Sequence, residues 1–127
     1  MSGKGKSVLD ASAVLALIQD EPGAARLWAA VPEGAVSAVN PAEVLAKLIS
    51  RGMPRQEALA AFDALHLEVA AFDRAQAAIS ASYPGKGISL GDRCFLAAAP
   101  LRGVGWTSDR ALAPVASVQS TRLEFFR

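Results

Sequence analysis

The chain has 127 residues, enough for one compact domain around a single core, and 52% of them are hydrophobic, which excludes a disordered chain. The 13 Lys and Arg against 12 Asp and Glu leave a formal net charge of +1. That excludes nucleic-acid binding through bulk charge and leaves only a local basic patch or a metal for such a task.

A single cysteine, Cys94, rules out an intrachain disulfide and a cysteine zinc cluster, and fits a reducing compartment. There is no apolar run long enough for a signal peptide or a membrane span, so a soluble, cytoplasmic protein with no membrane partner is expected. Residues 1–6 read as a flexible lead to a single domain over 1–127.

Ser7-Val8-Leu9-Asp10 reads as a short buried strand. A helix follows, with Val14, Leu15, Leu17 and Ile18 on one face. Pro22-Gly23 breaks it, and a second short helix carries Leu27 and Trp28. Ala35 to Val39 reads as a second strand.

Asn40-Pro41-Ala42-Glu43 has the chemistry of a helix start, with Asn40 as N-cap, Pro41 first and Glu43 third. Val44, Leu45, Leu48 and Ile49 form the apolar face of that helix, and Gly52 ends it. Pro54 begins another helix with Leu59, Phe62 and Leu65 inward, and Leu67 to Ala71 is a third strand. A helix from about Asp73 to Tyr83 leads to a loop, Pro84-Gly85-Lys86-Gly87.

Ser89-Leu90-Gly91-Asp92 is a capping-box pattern, and the helix it opens should end at Pro100. Gly103 to Thr107 is a fourth strand, weakened by two glycines. Ser108-Asp109-Arg110 turns into a short helix, and Thr121 to Phe125 closes the sheet as a fifth strand. Strands alternating with helices imply a parallel sheet covered on both faces.

Asp10, Glu43, Asp92 and Asp109 each fall where a strand-like run gives way to a helix. In an open α/β sheet that edge is where ligands gather. Each acid has an ordinary explanation as a helix cap or a first-turn charge. Four carboxylates on one edge repel one another, and neutral side chains or a bound divalent cation must relieve this. Oxygen-only ligands select Mg²⁺ or Mn²⁺. The only histidine, His66, is read as a surface or helix-end residue.

The motifs Val8-Leu9-Asp10-Ala11-Ser12-Ala13, Ser37-Ala38-Val39-Asn40-Pro41-Ala42-Glu43-Val44, Ile88-Ser89-Leu90-Gly91-Asp92-Arg93-Cys94 and Thr107-Ser108-Asp109-Arg110 run nearly end to end. In this order and spacing the chain resembles PIN-domain ribonucleases and, within them, toxins of the VapC type. The resemblance implies a three-layer α/β/α sandwich with a short parallel sheet of four or five strands. It also implies hydrolysis of RNA by water activated with Mg²⁺ or Mn²⁺.

Carried over, Asp10 and Asp92 would be the main metal ligands, and Asp109 would complete the site directly or through water. Glu43 would bind a second metal or position the attacking water. Ser12 and Thr107 would support the carboxylates by hydrogen bonds. A homodimer and a cognate antitoxin protein are implied as partners beside RNA. The alternative is a PIN-like domain that binds RNA or protein without catalysis.

Arg93 and Arg110 follow two of the acids and suit a phosphate clamp as well as they suit ordinary surface ion pairs. Lys86 would lie in a solvated loop, and Trp28 and Phe62 suit a core or interface. Gly5-Lys6-Ser7 matches the tail of a phosphate-binding P-loop but precedes a strand instead of following one. Asp10-Ala11-Ser12 resembles haloacid dehalogenase-type phosphatases only at its first aspartate, since Ser12 stands where they need a second.

Overall fold

A computed structural model describes residues 6–85, 87–117 and 121–127. Lys86 lies outside them.

Chain order runs β1 (Ser7–Leu9), α1 (Ala11–Gln19), α2 (Ala24–Leu27), a 3₁₀ segment (Trp28–Glu33), β2 (Gly34–Ser37), α3 (Asn40–Ser50), α4 (Arg55–Asp63) and β3 (Glu68–Ala70). Then come α5 (Arg74–Ala81), α6 (Leu90–Arg102), β4 (Val104–Thr107), a 3₁₀ turn (Arg110–Leu112), α7 (Ala113–Ala116) and β5 (Arg122–Phe125). No helix among the described residues is long and apolar enough to cross a membrane.

The five strands form one parallel sheet in the order β3-β2-β1-β4-β5. Successive strand residues face opposite sides, and β1 shows the consequence. Val8 enters a core built with α5, α6 and α7, whereas Leu9 enters the opposite core with α1, α3 and α4. Both residues are fully buried, as a strand covered on both faces must be. The three-layer α/β/α sandwich is therefore present.

Of the two glycines in this region only Gly105 lies within β4, and it has a packing reason. A Cβ on Gly105 would stand 2.8 Å from Cζ of Phe95, so the bare backbone lets α6 close against the sheet.

Several local expectations need correction. The helix after Asp92 does not stop at Pro100, because α6 continues to Arg102. Proline removes the N–H that would bond the carbonyl of Leu96 four residues earlier. The Tyr83 hydroxyl donates to that oxygen instead, at 3.0 Å, so a distant side chain supplies the missing bond.

Asn40 is not the N-cap of α3; Val39 holds that place, and Glu43 becomes the fourth helical residue. The Val39 carbonyl accepts from Ala42 N, while the Asn40 amide turns to partners of its own. Ile49 is 43% exposed, because α3 packs on α1 and α4 with Val44 and Leu48 inward. Trp28 is 49% exposed, so it is no core residue, while Phe62 is buried. His66 lies exposed just after α4, with a left-handed φ of 50°.

Candidate active site

The strand order reverses between β1 and β4, since β2 and β3 extend from one side of that pair and β5 from the other. The carboxyl ends of two strands at such a switch point leave a crevice. Asp10 lies just beyond β1, and Thr107 ends β4.

Asp10 is the N-cap of α1 and accepts from Ala13 N at 2.9 Å through Oδ1. The Ser12 hydroxyl donates to the same oxygen at 2.6 Å, and the Thr107 hydroxyl donates to Oδ2 at 2.5 Å. Thr107 Oγ1 accepts in turn from Asp109 N at 3.0 Å, and Ser12 Oγ accepts from Ser108 N at 3.3 Å. The two supporting hydroxyls thus lock the ends of β1 and β4 together around one carboxylate. Asp10 is only 5% exposed. Burial pushes its pKa up to about 6, against the pull of these three hydrogen bonds, and the Asp92 charge adds to the rise.

Asp109 caps the 3₁₀ turn after β4, accepting from Ala111 N at 3.0 Å. Asp92 reaches the cleft by a different route. Its helix follows α5 and a loop, not a strand as its sequence setting suggested. The packing of α6 across β1, β2 and β4 carries it to the same edge. The capping box is formed: Asp92 N donates to Ser89 Oγ at 3.0 Å, and Ser89 N donates to Asp92 Oδ2 at 3.2 Å.

Glu43, in the first turn of α3, accepts from Asn40 Nδ2 at 2.7 Å. Its carboxylate fills the space beside Gly91, where a Cβ would stand 2.1 Å from Oε2. Any side chain at position 91 would displace Glu43.

Asp10, Glu43, Asp92 and Asp109 line one cleft of about 260 Å³, with Ser12, Asn40, Lys47 and Gly91. The donor set is all oxygen and suits a hard cation. Among the described residues, no three His, Cys, Asp or Glu side chains converge closely enough to hold an ion as they stand. Asp92 and Asp109 are both turned into their caps.

Arg93 and Arg110 are not on the lining. The Arg93 guanidinium donates to the carbonyls of Tyr83 and Gly85, tying down the loop after α5. Arg110 donates to the Arg127 carbonyl and lies 4.5 Å from the centre of the Phe125 ring. Sequence reasoning missed Asn40, Lys47 and Gly91 as members of the site. The signal for Lys47 was its spacing, one helical turn after Glu43.

An α/β/α domain with four acids on the cleft at its switch point is the class defined by this architecture. The PIN domain family matches residues 7–116, and the chain belongs to that family. No curated protein sequence matches it. By structure, the chain is similar to one in the crystal structure of VapBC2 from Rickettsia felis bound to a DNA fragment from their promoter. The TM-score is 0.72 at 14% identity, covering 94% of this chain and 97% of that one.

Proposed function

We propose that this chain is a Mg²⁺- or Mn²⁺-dependent endoribonuclease and the toxin of a toxin–antitoxin pair. The single observation that carries the reading is the convergence of Asp10, Glu43, Asp92 and Asp109 from four chain segments on one cleft. Capping explains Asp10, Asp92 and Asp109 singly, and a first-turn charge explains Glu43, but neither gives a reason for all four to share a cavity.

Asp10, Asp92 and Asp109 would hold the cation, the latter two after their carboxylates rotate out of their caps. A divalent cation bound there offsets charge on phosphate oxygens and acidifies water. The chain's own residues do the rest. Ser12, Thr107 and the Ala13 N–H fix the Asp10 carboxylate and help it ionise despite burial. Glu43, held beside Gly91, orients the attacking water or a second ion.

Among the described residues Lys47 is the basic side chain on the cleft lining, and it supplies local counter-charge for an RNA phosphate that four carboxylates would otherwise repel. Arg93 and Arg110 are committed elsewhere and do not fill that role in this arrangement.

The antitoxin partner rests on the structural likeness to a VapBC2 chain. The second copy of a homodimer and a cytoplasmic location belong to the same reading. Induced expression in bacterial cells tests it. Growth should stop and discrete new RNA ends should appear, with neither effect from Asp92→Asn. Unimpaired growth with intact RNA would count against the toxin role.

A further inference from the structure

We infer that Asn40 is a positioning residue that sets the Glu43 carboxylate and its spacing to Asp92. The inference deepens the nuclease reading and rests on it only for its kinetic consequence.

Asn40 is 1% exposed, at the start of α3. One nitrogen, Nδ2, donates to two acceptors: Glu43 Oε1 at 2.7 Å and the Gly91 carbonyl at 3.2 Å. These acceptors belong to different helices, α3 and α6. Gly91 immediately precedes Asp92, so one amide links the two acids across the cleft. Glu43 is further confined because its carboxylate fills the space that a Cβ on Gly91 would take.

The residue type follows from the geometry. A carboxylate at position 40 would face Glu43 and the Gly91 carbonyl with no hydrogen to give. An amide gives two from a single nitrogen. The other end of the amide shows what this orientation forgoes: Asn40 Oδ1 is buried with no hydrogen-bond partner among the described residues. Native proteins leave few buried polar atoms unmatched, and those they leave require a reason. Here the reason is the orientation of Nδ2 toward Glu43. Without it, Glu43 would keep several rotamers over an open cleft.

Two measurements test the inference. In RNA cleavage, Asn40→Ala should lower kcat by about 10- to 100-fold with little change in KM, as misplacement of a catalytic group does. A purely structural role would lower the melting temperature and leave kcat unchanged well below it. In thermal melts, Asn40→Asp should be clearly destabilised, and adding Glu43→Gln should recover part of the loss, the Gly91 carbonyl still lacking its donor. That swap exchanges donor and acceptor across the same contact.

A kcat for Asn40→Ala within twofold of the native chain would overturn the inference, as would a double variant no more stable than Asn40→Asp. If the native chain cleaves no RNA, the nuclease reading fails by itself, and the swap still decides whether Asn40 holds Glu43.

Discussion

The Thr107 hydroxyl donates to Oδ2 of Asp10 at 2.5 Å, joining residues 97 positions apart across the switch point of the sheet. Because Thr107 Oγ1 also accepts from Asp109 N, this one hydroxyl sets two acids of the cleft at once. Thr107→Val keeps the shape and removes both bonds. A buried carboxylate that loses a donor costs about 1–3 kcal/mol. Denaturant unfolding at pH 7.5 should show a loss of that order, and the same experiment at pH 4 a smaller one, since a protonated Asp10 needs the donor less.

The acidity of Asp10 makes stability depend on pH. Its folded pKa of about 6 lies above the ordinary 3.8, so the folded chain holds this proton more tightly than the unfolded chain. The contribution is therefore full below pH 3.8 and is lost as pH rises through 6. At 1.36 kcal/mol per pKa unit the total is on the order of 3 kcal/mol. Asp10→Asn removes the charge and lets Thr107 turn to accept from the new amide. The variant should melt higher than the native chain at pH 7.5, with the gap closing as pH falls from 6 to 4. A gap independent of pH would contradict the assigned burial cost.

Pro100 and Tyr83 form a matched pair, and a double-mutant cycle should detect it. Tyr83→Phe strands the Leu96 carbonyl and also ends the 2.8 Å bond between Tyr83 and Thr121 hydroxyls. A loss of about 1–3 kcal/mol is expected for the buried acceptor. With Pro100→Ala the helical N–H returns to Leu96 O, and Tyr83→Phe should then cost measurably less. Additive effects in urea unfolding would show that Tyr83 does not compensate for the proline.

Much of this architecture was legible because it rests on local chemistry. Ser89 and Asp92 are three residues apart and form a capping box wherever a helix starts there. Asp10 and Asp109 cap the turns that follow their strands for the same reason. The features that were not legible depend on partners distant in sequence. Nothing near Pro100 announces that Tyr83 will complete its helix. The guanidinium of Arg93 finds carbonyls eight and ten residues back, which removes it from the cleft that its position beside Asp92 suggested. Asn40 has the composition of an N-cap, and only the approach of Gly91 from α6 turns its amide into a bridge.

Lys47 gives the cleft its own cation, so its removal should weaken RNA binding more than turnover. Lys47→Ala is expected to raise KM by roughly tenfold, with kcat nearly retained, and to lower the slope of log affinity against log salt by about one. Lys47→Arg should keep most of the affinity. Fluorescence anisotropy with a single-stranded RNA at several salt concentrations, in an Asp92→Asn background to prevent cleavage, reads this directly. An unchanged salt slope in Lys47→Ala would remove the residue from the RNA path.

Under the proposed function the four acids of the cleft act together with a divalent cation to cut RNA. The most direct measurement is cleavage of total cellular RNA by the purified chain with Mn²⁺ or Mg²⁺, with EDTA, and with Asp92→Asn in parallel. Discrete fragments that require both the cation and Asp92 are expected. Fragments that persist in EDTA, or that Asp92→Asn produces equally well, would contradict that reading.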